Sequence, residues 1–322
     1  MMAPASASID RLRQRFGERL QTDVRLARYT SARVGGPAEM LLVASSANDL
    51  AEMVSALWQM ELPYLILGGG SNVLVSDAGV RGVVVLNRAR QVRFRETGAT
   101  PTVWAESGIN FGLLARQAAL RGLSGLEWAA GIPGTLGGAV IGNAGAHGDE
   151  MAGNLVLAEI LHHTGQKDGQ RNFVIQREEW TKEEFEYAYR TSRLKANPGM
   201  AVVLAAKLHL VRSTREAVQG RVDELTEIRH RKQPPGASTG SMFKNPPGDH
   251  AGRLIEAAGL KGTQVGGVQI SPLHANFFMN TGKGCARDFY RLICTAQQAV
   301  KQQFGIDLEL EIQLIGDWSV AS

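Results

Sequence analysis

The sequence predicts an α+β protein built from two or three domains. Three observations support this prediction: the length of the chain, the mixture of short apolar strands with amphipathic helices, and two glycine-rich segments. The 322 residues exceed what one ordinary hydrophobic core accommodates. A hydrophobic fraction of 44% with 20% charged residues is typical of a globular protein.

Residues 1–90 predict a small first domain in which helices and strands alternate. Ile9, Leu12 and Phe16 recur at helical spacing and predict a helix over 8–20. Ser46 is a residue type that caps helices, and it precedes a second amphipathic helix. Apolar runs predict strands at 40–44, 64–67, 73–75 and 82–86.

Residues 91–212 predict a second domain that consists mainly of β-sheet. Strands are expected at 103–106, 155–162, 172–175 and 202–210. After the first of them, Phe111, Leu114 and Ala118 share one face of a helix that ends near Gly122.

Residues 213–322 predict a C-terminal α+β domain. Its first helix opens with a capping-box pattern from Ser213 to Glu216, and two consecutive prolines at 234–235 stop it. The elements expected after it are a helix at 254–258, strands at 268–271 and 276–280, a long amphipathic helix over 289–304 and a strand at 308–314. Apolar residues alternate along the last strand with Glu309, Glu311 and Gln313.

Two glycine-rich segments distinguish this chain from an ordinary α+β protein. Residues 68–72 (GGGSN) follow an apolar strand, and residues 131–148 (GIPGTLGGAVIGNAGAHG) contain seven glycines and no charged Asp, Glu, Lys or Arg. Glycine allows a second group to approach the main chain, and free backbone N–H groups bind phosphate or flavin edges. A single glycine-rich segment is as compatible with tight turns as with a nucleotide site, but two such segments favour a nucleotide site. Val73 replaces the third glycine of a Rossmann fingerprint, so that fold is not predicted.

Composition and charge exclude several classes of protein. The sequence has no run of eighteen apolar residues for a membrane helix and no secretory leader pattern. Two cysteines suit a reducing cytoplasm. A net charge of +4 favours small anionic ligands such as nucleotides, but the basic residues are too scattered for nucleic acid. The seven histidines do not lie at metal-ligand spacing, so no metal site is predicted.

Six motifs in order give the chain a resemblance to a known family. They are GGPA at 35–38, GGGSN at 68–72, the glycine stretch at 131–148, YRTS at 189–192, GSMFKNP at 240–246 and EIQLIG at 311–316. From about residue 28 to residue 318 the chain resembles the UDP-N-acetylenolpyruvoylglucosamine reductase (MurB) family. The glycine-rich motifs are shared with a wider group of FAD enzymes resembling vanillyl-alcohol oxidase, and the last three motifs carry the specific assignment.

The resemblance implies a fold and an activity. The fold is a two-part FAD-binding region of the PCMH type, at 1–90 and 91–212, with a substrate-binding domain at 213–322 whose last residues are free to return to the FAD region. The activity is reduction of UDP-N-acetylglucosamine enolpyruvate by NADPH through bound FAD, giving UDP-N-acetylmuramate for peptidoglycan synthesis. The expected protein is a cytoplasmic monomer that acts on small molecules and has neither nucleic-acid nor membrane partners. The alternatives are a PCMH-type FAD oxidase of sugar alcohols or lactones and a flavin-free UDP-sugar sensor.

The resemblance also implies three catalytic residues. Arg190 is expected to contact the substrate carboxylate, Ser241 to donate a proton and Glu311 to stabilise developing negative charge. Judged by the residues alone, Arg190 is a surface arginine and Ser241 a turn serine. The alternation of the last strand does not distinguish Glu311 from Glu309.

The remaining site residues are likewise implied by the resemblance. The residues expected to bind FAD are Gly68, Gly69, Gly70, Ser71, Asn72, Gly131, Ile132, Pro133, Gly134, Gly137, Gly138, Asn143, Ala144 and Gly145. The residues expected to bind the UDP-sugar are Tyr189, Lys232 and Asn245.

The chain departs from the family pattern at two positions and in one length. Ala32 stands where the family usually has Phe, and His147 stands where it usually has Tyr; both lie beside flavin-binding motifs. Only about ten residues separate Ser192 from the strand expected at 202. The chain is therefore similar to the shorter form of the family, which lacks an inserted substrate-covering loop.

Overall fold

The computed structural model describes residues 6–164 and 174–318. Its helices are α1 (Ser6–Phe16), α2 (Ala47–Gln59), α3 (Phe111–Ala119), α4 (Leu136–Gly142), α5 (Met151–Asn154), α6 (Arg193–Ala196), α7 (Arg215–Lys232), α8 (Ala251–Ala257) and α9 (Ala286–Phe304). Its strands up to the middle of the chain are β1 (Gln21–Arg25), β2 (Pro37–Ala44), β3 (Tyr64–Leu67), β4 (Val73–Val75), β5 (Val80–Asn87), β6 (Val92–Arg95), β7 (Thr102–Glu106), β8 (Leu123–Ser124), β9 (Gly145–Ala146) and β10 (Asp149–Glu150). The later strands are β11 (Leu155–Thr164), β12 (Val174–Thr181), β13 (Ala201–His209), β14 (Val211–Arg212), β15 (Ala237–Ser241), β16 (Gln264–Val265), β17 (Val268–Ile270), β18 (Phe277–Asn280) and β19 (Gln313–Ile315).

The chain divides into two compact units, each made from several segments. Unit 1 comprises Met1–Leu20, Leu42–Gly69 and Val84–Glu227, and unit 2 comprises Gln21–Leu41, Gly70–Val83 and Ile228–Ser322. The chain passes from one unit to the other inside β2, β5 and α7. The strands β2 and β5 are neighbours in a four-stranded sheet of order β1-β2-β5-β3.

Unit 1 is organised around a five-stranded antiparallel sheet. The strand order is β12-β11-β13-β7-β6. The middle strand β13 is buried along most of its length, which indicates that both faces of the sheet are covered. The helices α3 and α4 contribute Phe111 and Leu136 to the same apolar core, where the Phe111 ring meets Trp128 edge to face. The glycine stretch therefore begins next to the well-packed apolar core of unit 1.

Unit 2 contains a four-stranded antiparallel sheet of order β15-β18-β17-β16. The long helix α9 packs its apolar face, including Phe289 and Ile293, into the core of this unit. The last strand β19 lies parallel to β4, with Leu314 opposite Leu74. The carboxylate of Asp77, which follows β4, accepts the backbone N–H groups of the first two residues of α9 at 2.9 Å. The helix α9 and the strand β19 are thus both hydrogen-bonded to the segment that follows GGGSN.

Most elements lie where local sequence signals predict them. The Ser46 hydroxyl accepts the Asp49 N–H and caps α2, and the 64–67 and 73–75 strands have the predicted bounds. The helix α7 begins one residue later than its capping pattern suggests, since Thr214 accepts the Ala217 N–H. The predicted helix over 8–20 ends at Phe16 because Gly17 adopts a left-handed φ of 52°.

Other elements differ from the sequence predictions. The strand expected at 172–175 is β12, Val174–Thr181, and residues 172 and 173 lie outside the described residues. The strand expected at 308–314 pairs as a β-strand only over Gln313–Ile315. The helix α4 inside the glycine stretch and the strand β15 were not predicted. The domain ranges 1–90, 91–212 and 213–322 stay a prediction, since the contact-based units are discontinuous and unit 1 ends at Glu227.

Candidate active site

The predicted site residues are distributed over both units. Those in unit 1 are Gly68, Gly69, Gly131, Ile132, Pro133, Gly134, Gly137, Gly138, Asn143, Ala144, Gly145, Tyr189 and Arg190. Those in unit 2 are Gly70, Ser71, Asn72, Lys232, Ser241, Asn245 and Glu311.

In unit 1 the two glycine-rich segments contact each other. A Cβ atom added to Gly69 would lie 2.8 Å from the Cα atom of Gly134, and one added to Gly68 would lie 2.3 Å from the Thr135 hydroxyl. Both distances are shorter than real Cβ contacts, so Gly69 is required by packing against the main chain and Gly68 by packing against the Thr135 side chain. Packing within the protein therefore explains Gly68 and Gly69 without a ligand.

The helix α4 contains glycines that protein packing does not require. A Cβ on Gly137 would lie 2.9 Å from the Ser107 Cβ, which accounts for that residue. By contrast, the nearest atom to a Cβ on the exposed Gly138 is 3.7 Å away, and nothing lies within 4 Å of one on Gly142. Glycine inside a helix costs about 1 kcal/mol relative to alanine. These residues fit the flavin that the resemblance implies, because a flat ligand can approach the open main chain.

The Tyr189–Arg190 pair forms the tip of a tight turn. The backbone groups of Ala188 and Thr191 exchange two hydrogen bonds, at 3.2 and 3.1 Å. Tyr189 is 53% exposed. Arg190 has a φ of 58°, in the left-handed region, which costs a non-glycine residue roughly 1–2 kcal/mol. The turn therefore holds Arg190 in a strained conformation, and such strain is often found at functional sites.

This turn is fastened to the last residues of α4 by side chains on both its flanks. The Tyr187 hydroxyl donates to the Val140 carbonyl at 2.9 Å, and the Ser192 hydroxyl donates to the Ile141 carbonyl at 2.6 Å. Burial, with a smaller contribution from the Glu150 carboxylate, raises the pKa of Tyr187, so its hydroxyl keeps the proton it donates.

Asn143 makes a third link between α4 and the turn. It is 1% exposed and ends α4 with a φ of 43°. Its amide nitrogen donates to the Ala188 carbonyl at 3.2 Å, and its amide oxygen accepts the Ala152 N–H at 3.1 Å. Nearby, a Cβ on Gly145 would lie 3.3 Å from the Arg190 guanidinium. The side chain of Asn143 thus serves the protein scaffold.

In unit 2, a β-bulge determines which way Ser241 points. Ser238 pairs with Met279 and Ser241 with Phe277, so three steps along β15 correspond to two along β18. Gly240 provides the extra residue with a φ of 76°. Paired residues share a face of the sheet, so the bulge puts Ser241 on the face opposite the buried Thr239. Regular alternation would have put both on one face.

Main-chain pairing joins the segment after Ser241 to the segment that contains Glu311. The Glu311 N–H donates to the Met242 carbonyl at 3.0 Å, and the Lys244 N–H donates to the Glu309 carbonyl at 2.8 Å. This short antiparallel pairing sets Glu311 across from the residue that follows Ser241. It joins the GSMFKNP motif to the EIQLIG motif.

Asn72, the last residue of GGGSN, holds the same segment from its other side. Its amide nitrogen donates to the Glu311 carbonyl at 3.1 Å, and its own carbonyl accepts the Gln313 N–H at 3.0 Å. The backbone of Glu311 is therefore bonded on both sides.

The two glutamates that the sequence could not distinguish have different surroundings. Glu309 has an exposed side chain (72%) and forms an ion pair with the Lys244 ammonium. Glu311 is half-buried, and its backbone pairs with Met242, the residue after Ser241. This difference favours Glu311 as the functional carboxyl group.

The other predicted residues have the following places. Lys232 is exposed at the C-terminal end of α7. The Asn245 side-chain oxygen accepts the Ala251 N–H at 3.1 Å, at the start of α8. Ala32 is buried in the core of unit 2, and its carbonyl accepts a hydrogen bond from Asn280. His147 is exposed at the tip of the β9–β10 hairpin with a φ of 58°.

Sequence reasoning missed the residues that support these side chains. Gly240 carries the bulge, and Tyr187 and Asn143 anchor the turn, but none of these roles has a local sequence signal. Among the described residues, no helix is long and apolar enough to cross a membrane. The same residues contain no cluster of three or more His, Cys, Asp or Glu arranged to hold a metal ion.

Comparisons with known proteins identify two family profiles and several similar proteins. The profile of the UDP-N-acetylenolpyruvoylglucosamine reductase C-terminal domain matches residues 231–315, and an FAD binding domain profile matches residues 38–166. The chain is 43% identical to the UDP-N-acetylenolpyruvoylglucosamine reductase of Chloroflexus aggregans, over 90% of this chain and 95% of that protein. It is 37% identical to the enzyme of the same name from Bacillus subtilis, over 96% and 98% of the two chains. The crystal structure of MurB from Thermus caldophilus matches with a TM-score of 0.75 at 36% identity, over 92% of this chain and 99% of that one.

Proposed function

The chain belongs to the UDP-N-acetylenolpyruvoylglucosamine reductase family, and we propose that Arg190, Ser241 and Glu311 carry its reaction. The protein is an FAD-dependent oxidoreductase that uses NADPH to reduce the enolpyruvyl group of UDP-N-acetylglucosamine enolpyruvate to give UDP-N-acetylmuramate for peptidoglycan synthesis. The alternative of an FAD oxidase on the same fold is disfavoured, since residues 231–315 match the reductase C-terminal domain.

The main-chain pairing of 242–244 with 309–311 is the observation that carries the assignment of residues. It brings the segment that carries Glu311 alongside the GSMFKNP motif, which contains Ser241. A proton donor and a group that stabilises charge are what addition of hydrogen across a carbon–carbon double bond requires.

Arg190 is proposed to bind the substrate carboxylate. A guanidinium group stays charged and grips a planar carboxylate with two parallel hydrogen bonds. As the double bond is reduced, negative charge moves onto this carboxylate. Arg190 then stabilises the charge where it develops, and the neutral form of Glu311 adds a hydrogen bond from its hydroxyl.

Ser241 is proposed to donate the proton to the carbon next to the substrate carboxylate. A serine hydroxyl is a weak acid, but a carbanion-like carbon is strongly basic, so the transfer is downhill. FAD, when bound, would supply the chemistry that transfers a hydride from NADPH to the terminal vinyl carbon.

The glycine segments are proposed to hold the cofactor mainly through main-chain contacts. The open main chain of α4 at Gly138 and Gly142 supports this assignment in unit 1. Tyr189, Lys232 and Asn245 are proposed to bind the UDP-sugar. We further propose that the protein acts as a monomer in the cytoplasm on small-molecule substrates.

The test separates the two halves of the reaction under anaerobic conditions. NADPH should bleach the visible flavin band of the purified enzyme, and the enolpyruvyl sugar should restore it. In Ser241→Ala, bleaching should proceed at the wild-type rate, while recovery should slow by about 10²–10⁴-fold because the general acid is lost.

Ser238→Ala is the matched control, because Ser238 lies on the same strand and the same face of the sheet. It should recover like the wild type. Recovery of Ser241→Ala at the wild-type rate would refute the role of Ser241. Bleaching without recovery in the wild type would indicate a different oxidant.

A further inference from the structure

Arg190 occupies a backbone conformation that is unfavourable for residues other than glycine. Its φ of 58° lies in the left-handed region, which suits glycine at this position of a tight turn. The two hydrogen bonds between Ala188 and Thr191 hold this conformation, and a further group that bonds to the Arg190 peptide would resist its relaxation to a negative φ. Relaxation would turn the peptide groups on both sides of Arg190 and would move the guanidinium with them.

The ammonium group of Lys195 is placed to stabilise this conformation. Its Nζ atom donates to the Arg190 carbonyl at 2.7 Å in a partly buried setting. A hydrogen bond from a charged donor is roughly twice as strong as a neutral one. It holds the direction of the carbonyl group that any relaxation of Arg190 would change.

The base of the Lys195 side chain is itself fixed. The Ser192 hydroxyl accepts the Lys195 N–H at 3.2 Å and so caps the short helix α6. The same hydroxyl donates to the Ile141 carbonyl of α4 at 2.6 Å. A chain of hydrogen bonds thus runs from α4 through Ser192 and Lys195 to the carbonyl of Arg190.

We propose that Lys195 is a positioning residue that locks Arg190 in its left-handed conformation and thereby aims the guanidinium at the substrate carboxylate. This inference rests on the proposed role of Arg190. Lys195 acts on the main chain of Arg190 and has no part in hydride or proton transfer. Its loss should therefore weaken use of the carboxylate substrate and leave reduction of the flavin unchanged.

The first test is Lys195→Met in the purified, FAD-loaded enzyme. We expect the KM for the enolpyruvyl sugar to rise about tenfold, while the rate of flavin bleaching by NADPH stays at the wild-type value. Lys195→Arg, which keeps a charged donor, should recover most of the loss. Lys182→Met removes an exposed lysine from the same part of the chain and should leave both quantities unchanged.

A double-mutant cycle with Arg190→Ala gives the decisive outcome. If Lys195 acts through Arg190, adding Lys195→Met to Arg190→Ala should produce little further loss in kcat/KM. An equal loss in both backgrounds, or a wild-type KM in Lys195→Met when Arg190→Ala is impaired, would overturn this inference. Wild-type activity in Arg190→Ala would instead overturn the proposed function.

Discussion

The two units of the molecule hold their functional side chains by different means. In unit 1, Arg190 lies on a tight turn. Hydrogen bonds to carbonyl groups hold this turn, and the side chains that donate them are those of Tyr187, Asn143, Ser192 and Lys195. In unit 2, Ser241 and Glu311 lie on segments that are joined by main-chain hydrogen bonds and redirected by a bulge.

The difference has a practical consequence for mutagenesis. A group fastened by side chains can be displaced by removing one of those side chains. A group fastened by the main chain survives most side-chain replacements, and it is displaced mainly when a required backbone conformation is lost. The following predictions test this contrast from the largest expected effect to the smallest.

The largest effect is expected from Glu311→Ala, with Glu309→Ala as its matched control. Loss of the carboxyl group at 311 should lower kcat by about 10²–10³-fold, as removal of one preorganised donor does in other enzymes. Loss of the exposed carboxylate at 309 should leave kcat near the wild-type value and cost at most about 1 kcal/mol in stability. Steady-state kinetics of both variants decide the matter. Equal losses would show that the main-chain pairing does not single out Glu311.

A smaller effect is expected from Gly240→Ala, compared with Gly248→Ala. Both glycines are left-handed, with φ values of 76° and 77°, and neither has an atom within 4 Å of an added Cβ. Each alanine should therefore lower the free energy of unfolding by about 1–2 kcal/mol. Only Gly240→Ala should also lower kcat, by tenfold or more, because only Gly240 redirects Ser241. Denaturant titration and kinetics measure the two effects separately, and equal kcat values would exclude the bulge as the cause.

In unit 1, Gly138→Ala and Gly137→Ala should have opposite effects on apoprotein stability. An alanine at 138 meets no close atom and should stabilise α4 by about 1 kcal/mol. An alanine at 137 would collide with Ser107 and should destabilise the apoprotein. Despite its stability, Gly138→Ala should bind FAD less tightly, which thermal unfolding of the apoprotein and flavin titration would show. Wild-type FAD affinity in Gly138→Ala would contradict the proposed cofactor contact.

The smallest effect concerns a surface carboxylate of unit 2 away from Ser241. A hydrogen bond from Arg253 lowers the pKa of Asp249 from 3.8 to about 2. Because the folded-state pKa is the lower one, its contribution to stability is present above pH 4 and is lost as the pH falls through about 2. Asp249→Asn should therefore be slightly less stable than the wild type at pH 7, and the difference should vanish near pH 2. Urea titrations at both pH values provide the measurement, and a difference that grows on acidification would contradict the assignment.

Much of the fold could be predicted from local patterns. The periodicity of α2, α7 and α9, the cap at Ser46 and the apolar run of β3 involve residues close in sequence, and the structure agrees with them. The helix α4 could not be predicted in the same way. Three glycines in seven residues oppose a helix, and packing of Gly137 against Ser107 and of Leu136 in the core helps to stabilise it.

The site residues were found through motifs and not through their physical surroundings. Arg190, Ser241 and Glu311 each looked like ordinary surface residues by local criteria. The alternation of the last strand treated Glu309 and Glu311 alike, and what separates them is the Lys244 ion pair, which joins residues far apart in sequence.

The sequence by itself determined the α+β class, the positions of most helices and strands and the order of the family motifs, because these depend on residue periodicity and on short patterns. Only the tertiary structure decided the direction of Ser241, the left-handed conformation of Arg190 and the place of Glu311. Each of these depends on hydrogen bonds or strand register with partners that no local pattern specifies. A bulge reverses every side chain beyond it, so the direction of Ser241 is determined by where distant segments meet.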